Sequence, residues 1–275
     1  MSEKGPGQGG ELGVTALYTA GVWEWAGFPG AGRLAGEDTR AVFRWVNRFL
    51  ALSRLFRPGL PSLRHSLARR HAIIDHLAAR EPGTLLLEIG VGLSPRTLAA
   101  AAEGRRCVEV DLPEVMRLRQ ERLALGEGGP LPRAVGGDLR DEAAIGALLT
   151  EPATVVVEGV FPYFDTQERE AIWRGLARAL AARGGRLIFD LTPAGEQPRP
   201  GLLGRLLGFL MRRFTRGRDF VPGHPDREAI EAALRAAGFA SVACFDQDHP
   251  PEGCVLPGAS LPTQTVVFEA GTEVR

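Results

Sequence analysis

The chain has 275 residues, of which 44% are hydrophobic and 24% charged, so it is able to bury the core of one or two globular domains. Lysine plus arginine and aspartate plus glutamate each number 33, and the formal net charge is zero. With no net charge and no basic tail, the sequence argues against a nucleic-acid partner and favours a small-molecule substrate.

The N-terminal residues and the cysteines bear on the cellular compartment. Residues 1–13 are polar and glycine-rich and lack the apolar core of a signal peptide, so we expect a disordered tail on a cytoplasmic protein. No apolar run is long enough for a membrane span, and we expect no stable membrane insertion. Cys107, Cys244 and Cys254 lack metal-ligand spacing, so we expect free thiols and no metal, with pairing of the last two left open.

Three helices are predicted before the first strand, over residues 14–28, 37–55 and 62–79, because their apolar residues recur at spacings of three and four. Three of the four tryptophans lie in this part of the chain. We predict an N-terminal helical cap over residues 14–80, which either closes over a small-molecule site or only covers one side of a sheet.

A glycine turn follows the first predicted strand. Residues 85–113 read as a strand, the turn Gly90-Val91-Gly92, a helix, and a second strand that ends in Asp111, which is the first half of a nucleotide-binding βαβ unit. The two glycines allow positive φ and a close approach of a ligand to the backbone. Asp111 lies about 20 residues beyond them, where a carboxylate accepts the hydroxyl protons of a ribose.

The residues around the turn distinguish between nucleotides. A dinucleotide fingerprint has a third glycine where this chain has Pro95, and Glu88 directly precedes the turn. A carboxylate facing the turn does not suit a pyrophosphate, but it suits the amino group and the sulfonium of S-adenosylmethionine. A methyltransferase that uses this cofactor is therefore the leading interpretation. An NAD-dependent oxidoreductase and a non-catalytic relative of a methyltransferase stay open as alternatives.

Strands and helices alternate through the rest of the chain, which predicts an α/β fold with a mostly parallel sheet. Seven strands are predicted, over residues 85–87, 107–110, 133–135, 154–157, 186–189, 241–245 and 263–269. Carboxylates stand at or just past five strand ends, where ligands of such sheets bind: Glu88, Asp111, Asp138, Glu158 and Asp190. The final pair, with the last strand antiparallel, indicates a Rossmann-like class I methyltransferase core over residues 81–275.

Residues 193–225 interrupt the alternation after the fifth strand. They contain a basic amphipathic segment, 201–214, in which arginines lie beside leucines. We predict that this insertion is a lid over the site, with a membrane-surface helix as the alternative.

Several motifs carry a family resemblance over nearly the whole chain, residues 15–270. They are TALYTAGVW, ARRHAIID, LEIGVGLSPR, VEVDLPEV and EGVFPYF. On these motifs the chain resembles the leucine carboxyl methyltransferase superfamily, and within it the bacterial polyketide-biosynthesis O-methyltransferases. The E-V-D-L-P stretch is the most diagnostic, because most class I methyltransferases lack it.

The resemblance implies a cofactor site for S-adenosylmethionine. By position, Arg69 would grip the cofactor carboxylate, Gly90 is the motif glycine, Asp111 binds the ribose, Asp138 and Leu139 lie beside the adenine, and Glu158 lies near the methionine moiety. Gly92 and Glu88 complete the predicted site. One departure is Thr19, which stands where eukaryotic members have a cofactor-binding lysine.

The methyl acceptor is expected to be a carboxylate or phenolic oxygen of a small, partly aromatic compound. A carboxylate is already ionised near neutral pH and needs no base, whereas a phenol benefits from one. The sequence offers four candidates for that base and singles out none of them: His71, His76, His224 and Tyr163.

Overall fold

The computed structural model describes residues 13–56, 62–81, 83–126, 128–197, 223–258, 264 and 266–273. A seven-stranded sheet runs through its centre, with helices on both faces. The strands are β1 Leu85–Ile89, β2 Cys107–Asp111, β3 Arg133–Gly136, β4 Ala153–Val157, β5 Gly185–Asp190, β6 Ser241–Asp246 and β7 Val266–Thr272.

The strand order is β3-β2-β1-β4-β5-β7-β6, and β7 is antiparallel to both of its neighbours. The pairs among β1 to β5 are parallel. This topology confirms the predicted Rossmann-like seven-stranded sheet with an antiparallel last strand. The chain leaves β1 toward β3 and returns to β4 on the other side, so the crevice at which such sheets bind ligands lies between β1 and β4.

Helices flank the sheet, and local signals fix several of their ends. Asp165 and Glu168 form a reciprocal capping box, Asp141 and Asp226 cap two further helices, and Gly238 ends the last one in the left-handed conformation. The helices are α1 Val14–Ala26, α2 Glu37–Phe56, α3 Leu63–Ala79, α4 Arg96–Ala102, α5 Pro113–Leu125, α6 Glu142–Leu148, α7 Thr166–Ala181 and α8 Arg227–Ala237.

Side chains of alternate strand residues fill the two faces of the sheet. On one face, Trp173 of α7 packs with Phe161 and Phe189 in a fully buried aromatic cluster. On the other face, Ile74 and Leu77 of α3 are buried together with apolar residues of the central strands. Because α3 and α4 both lie on this second face, side chains that point to that side from the central strands meet these two helices.

Helix α1 lies beside the glycine turn. Trp23 and Leu34 form a buried cluster with Leu93 of the turn, Leu98 of α4 and Leu123 of α5. This packing brings the predicted cap against the βαβ unit, while its division from the core at residue 80 stays a prediction.

Two predicted segments lie largely outside the described residues. They are the tail, residues 1–13, and the lid insertion, residues 193–225, with its amphipathic segment 201–214. Among the helices that the structure describes, none is long and apolar enough to cross a membrane.

All three cysteines are free thiols. Burial raises the pKa of Cys107 to about 12 and that of Cys244 to about 11, which keeps both thiols protonated near neutral pH.

Candidate ligand-binding site

The glycine turn is held against the end of β2 and opens on one side. Gly90 and Gly92 have φ angles of 72° and 49°, and the amide of Gly90 donates to the Val110 carbonyl at 2.8 Å. A Cβ on Gly90 would collide with Cγ2 of Val160, whereas a Cβ on Gly92 would meet no atom within 4 Å. The backbone at Gly92 therefore faces open space, as a ligand-binding turn requires.

Asp111 is fixed beside this turn at the end of β2. Its Oδ2 accepts from the amide of Gly92 at 2.8 Å, and its Oδ1 accepts from the amide of Leu112 at 2.7 Å. Burial raises the pKa of Asp111, while these two amides and Arg119 act in the opposite direction. Each carboxylate oxygen has a second acceptor position, so the oriented group retains the capacity to bind two hydroxyls.

Asp138 and Leu139 lie at the same corner of the sheet. The Gly137 amide donates to the Asp111 carbonyl at 2.9 Å, which places Asp138 one residue beyond this junction of β2 and β3. The Asp138 carboxylate pairs with Arg140 at 2.5 Å and accepts from the Arg140 amide at 2.9 Å. The Leu139 side chain is buried in the apolar core.

Arg119, which no sequence motif indicates, contacts the glycine turn from α5. This fully buried α5 residue bonds both carboxylate oxygens of Glu109, at 2.9 and 2.5 Å, and donates to the Gly92 carbonyl at 3.2 Å. Glu109, an acid inside a buried strand, was the signal that a partner must exist, since a buried carboxylate requires one.

Apart from the glycine turn, a second cluster of polar residues, made up of charged side chains, lies at the carboxyl ends of β1, β4 and β5. Glu88, Asp190 and the side chain of Glu158 are buried there and point to the α3 side of the sheet. Arg96 of α4, with a side chain 3% exposed, reaches Asp75 and Glu158 at 2.6 Å each and also pairs with Glu88. The Glu88 carboxylate is therefore engaged by an arginine of the same chain.

Arg70 closes the cluster from α3. Its Nε donates to Glu158 at 2.9 Å and its Nη1 donates to Asp190 at 3.0 Å. The third nitrogen, Nη2, bonds to no described residue and lies 3.3 Å from the point where a Cβ on Gly159 would stand. The Arg70 side chain as a whole is 16% exposed.

Arg69, the arginine predicted from the resemblance, has contacts of its own on the same helix. Its Nε donates to the Pro257 carbonyl at 3.3 Å and its Nη1 donates to the Gln247 side chain at 3.0 Å. Thus the structure brings Arg70 to Glu158, while Arg69 contacts the segment after β6.

The second cluster contains more acidic than basic side chains. Four carboxyl groups, those of Asp75, Glu88, Glu158 and Asp190, meet two guanidinium groups and one imidazole, those of Arg70, Arg96 and His71. Burial raises the pKa of Glu88 and of Asp190 against the pull of these arginines. Because buried like charges repel, the arrangement favours an added cation.

Glu158 behaves differently from its neighbours. Burial alone would raise its pKa, but His71, Arg70 and Arg96 together hold the pKa of Glu158 well below the ordinary 4.5. The carboxylate is accordingly ionised throughout the physiological range.

We expect Glu158→Gln to make the stability less sensitive to acid. A folded-state pKa below the unfolded value means that Glu158 stabilises the fold above pH 4.5, and that this contribution is lost as the pH falls through the folded pKa. Urea unfolding at a series of pH values from about 5 down to about 3 measures the effect. The variant should show a smaller loss per pH unit than the wild type, and equal slopes would contradict the assignment.

Of the candidates for a general base, His71 lies in the second cluster, with Nδ1 2.8 Å from Glu158. His224 stacks on Trp173 and lies 3.3 Å from Glu170, while burial raises the pKa of Tyr163. Among the described residues, no group of acidic, histidine or cysteine side chains is arranged to hold a metal.

Thr19, which stands at the position of the family's lysine, turns back on its own helix. Its hydroxyl donates to the carbonyls of Thr15 and Ala16, at 3.1 and 3.0 Å.

Comparison with known proteins finds similarity in sequence and in fold. No protein-family model matches the chain. A protein of Parafrankia sp. (strain EAN1pec), provisionally named an S-adenosyl-L-methionine-dependent methyltransferase, is 32% identical over 193 residues, covering 59% of this chain and 62% of that protein. The chain thus spans less than two thirds of that relative's length.

Two solved structures share the fold. A provisionally named methyltransferase of Thermobifida fusca YX has a TM-score of 0.62 at 17% identity, over 96% of each chain. A provisionally named O-methyltransferase of Nostoc punctiforme PCC 73102 has a TM-score of 0.50 at 18% identity, over 83% of this chain and 60% of that one. The chain therefore has the Rossmann-like methyltransferase fold.

Proposed function

We propose that the chain is an S-adenosylmethionine-dependent O-methyltransferase that acts on a small molecule. The observation that carries this proposal is that two different groups of polar residues lie at the same edge of the sheet, one at the end of β2 and one at the end of β4. The corner at β2 presents Asp111 beside an open glycine turn, and the corner at β4 presents Glu158 beside Arg70. The name of the Parafrankia relative supports the same activity.

The polar side chains of the crevice match the hydrogen-bonding groups of this cofactor. The ribose hydroxyls need acceptors, which Asp111 supplies, and the exocyclic amine of adenine needs an acceptor, which Asp138 supplies. The ammonium of the methionine moiety suits Glu158, and its carboxylate suits the Nη2 of Arg70. A contribution of Arg69 to the same carboxylate stays a prediction.

When bound, the cofactor supplies an activated methyl group on a sulfonium. The chain's own contribution is to hold donor and acceptor in line and to keep the site dry, which accounts for much of the catalysis in a displacement of this kind. The excess of carboxyl groups around Glu158 stabilises a positively charged ligand in the crevice. A carboxylate acceptor requires no base, so none is assigned.

The proposal also covers the methyl acceptor and the protein family. The EVDLP and EGVFPYF motifs support membership of the leucine carboxyl methyltransferase superfamily and its polyketide branch. The Nostoc structure, named as an O-methyltransferase, supports oxygen as the acceptor atom. We place the acceptor beside the tryptophan-rich cap, because α1 packs against the glycine turn.

A screen of candidate methyl acceptors tests the proposed class of acceptor. The protein is incubated with S-adenosylmethionine carrying a tritiated methyl group and with aromatic or polyketide-like acids, phenols, amines and peptides. We expect label in small oxygen acceptors, and alkaline hydrolysis separates methyl esters from methyl ethers. Label found only in peptides or on nitrogen would contradict the proposal.

Asp111→Ala should weaken the binding of S-adenosylhomocysteine by about 1–3 kcal/mol, the scale for losing hydrogen bonds to a charged group. Isothermal titration measures the change, and thermal unfolding checks that the fold survives the loss of the bonds to Gly92 and Leu112. Glu121→Ala, at an exposed carboxylate of α5, is the control and should bind as the wild type does. Unchanged affinity in Asp111→Ala would remove the ribose assignment.

A further inference from the structure

His71 links the N-terminal cap to the second cluster. The ring is fully buried on α3 between two aromatic side chains, with centroids 4.9 Å from Trp23 and 4.6 Å from Phe28. Its Nδ1 lies 2.8 Å from Oε2 of Glu158 and 2.9 Å from Nη2 of Arg96. The ring packs against the cap, its Nδ1 faces Glu158, and its Nε2 lies at the longer distance of 3.4 Å from Oδ2 of Asp75.

The contacts of Nδ1 determine where the ring carries its proton. Arg96 Nη2 carries two N–H donors; it donates to Glu158 Oε2 at 2.6 Å and lies at the longer distance of 2.9 Å from Nδ1. If Nδ1 carried no proton, its lone pair would face a carboxylate lone pair at 2.8 Å, which is repulsive. With the proton on Nδ1, the same distance is a charge-assisted hydrogen bond. We therefore assign the Nδ1 proton to the shorter of the two contacts, the one with Glu158.

The oxygen that this bond occupies decides what Glu158 offers to a ligand. Oε2 is taken by His71 and Arg96, whereas Oε1 accepts only from Nε of Arg70 among the described residues. A carboxylate oxygen has two acceptor positions, so Oε1 keeps one for a ligand. A partial rotation of the carboxylate would change the direction of this free acceptor position, and the bond from His71 opposes that rotation.

We infer that His71 is a positioning residue for Glu158, and that the aromatic contacts of Trp23 and Phe28 make the cap part of the recognition of the ligand's ammonium group. The inference rests on the proposed function, because it takes Glu158 to bind the methionine moiety of the cofactor. It assigns to α1 and the following loop a role beyond covering the site.

Two substitutions separate the hydrogen bond from the packing. His71→Asn keeps a donor near the position of Nδ1 but loses the ring, whereas His71→Phe keeps a ring between Trp23 and Phe28 but loses the donor. A role in packing predicts that the phenylalanine variant binds ligand better, and a role in positioning predicts that the asparagine variant does. The two roles therefore give opposite orders.

Two ligands separate the methionine end from the adenosine end. S-adenosylhomocysteine contains the amino-acid moiety, and methylthioadenosine lacks it. We expect His71→Phe to weaken binding of S-adenosylhomocysteine about tenfold, the scale of one hydrogen bond to a charged group, with methylthioadenosine unchanged within about twofold. His71→Asn should retain affinity for S-adenosylhomocysteine within about threefold of the wild type. His76→Asn, on the same helix, should leave both affinities unchanged.

Two results would contradict the inference, and a third would contradict the proposed function. If His71→Phe weakens both ligands equally, or binds S-adenosylhomocysteine better than His71→Asn does, His71 acts only through packing and the inference is wrong. If the wild type binds neither ligand, the proposed function itself fails.

Discussion

We expect Arg96→Ala to lower the free energy of unfolding by about 3–5 kcal/mol, the cost of removing one partner from a buried ion pair. Arg96 is the guanidinium on which Asp75, Glu88 and Glu158 converge, and its side chain is 3% exposed. Without it, buried carboxylates either stay charged without compensation or take up protons, and both cost stability. Urea unfolding at neutral pH, followed by circular dichroism, gives the free energy.

A matched control removes an exposed arginine from a helix of the same layer. Arg117 of α5 pairs with Glu121 one turn away, and its side chain is 57% exposed. Arg117→Ala should change the free energy of unfolding by less than about 0.5 kcal/mol, because exposed pairs of this kind contribute little. A loss below about 1 kcal/mol in Arg96→Ala would contradict the account of the cluster as a buried, interdependent network.

The second large effect is expected from Gly90→Ala. The residue has a φ of 72°, which an L side chain adopts at a cost, and the new Cβ would collide with Val160 Cγ2. We expect the free energy of unfolding to fall by about 1–3 kcal/mol. Relief of the collision moves the segment after β4, which carries Glu158, so S-adenosylhomocysteine should bind at least about tenfold more weakly.

Gly104 offers a control for the backbone strain alone. Its φ is 83°, and a Cβ there would meet no atom within 4 Å. Gly104→Ala should lower stability by about 1–2 kcal/mol and leave ligand affinity unchanged. Val160→Ala, added to Gly90→Ala, removes the colliding methyl and should recover part of the affinity. Wild-type affinity in Gly90→Ala alone would show that the turn does not shape the site.

Much of the architecture could be predicted because strand signals and alternation are local. The runs before Glu88, Asp111 and Glu158 are largely apolar, and each became a strand that ends within one residue of its acid. The same alternation puts Leu86 and Glu88 on one face of β1, so the side of the sheet on which Glu88 lies also follows from the sequence.

Partners of the buried acids could not be predicted, because they depend on how distant elements pack. Glu88 was expected to face a cationic ligand, and in the structure Arg96 of α4 pairs with it. Nor does helical periodicity choose between Arg69 and Arg70. Four residues before the buried Ile73 and Ile74, both arginines lie toward the packed face of α3, and only the tertiary structure shows which one reaches Glu158.

The buried pair of Arg119 and Glu109 is a further case. The alternation in β2 places Glu109 inside, but α5 carries three arginines, and the sequence does not say which one turns inward. Packing of α5 against β2 and β3 selects Arg119 and brings it to the Gly92 carbonyl. Support for the turn therefore comes from an element that no motif includes.

The most direct test of the account is isothermal titration of the purified protein with S-adenosylhomocysteine, with NAD as the control. The account predicts micromolar binding of S-adenosylhomocysteine and no binding of NAD, because Asp111 and Glu158 present acceptors for a ribose and an ammonium and the turn lacks the third glycine for a pyrophosphate. Binding of NAD without binding of S-adenosylhomocysteine would contradict it.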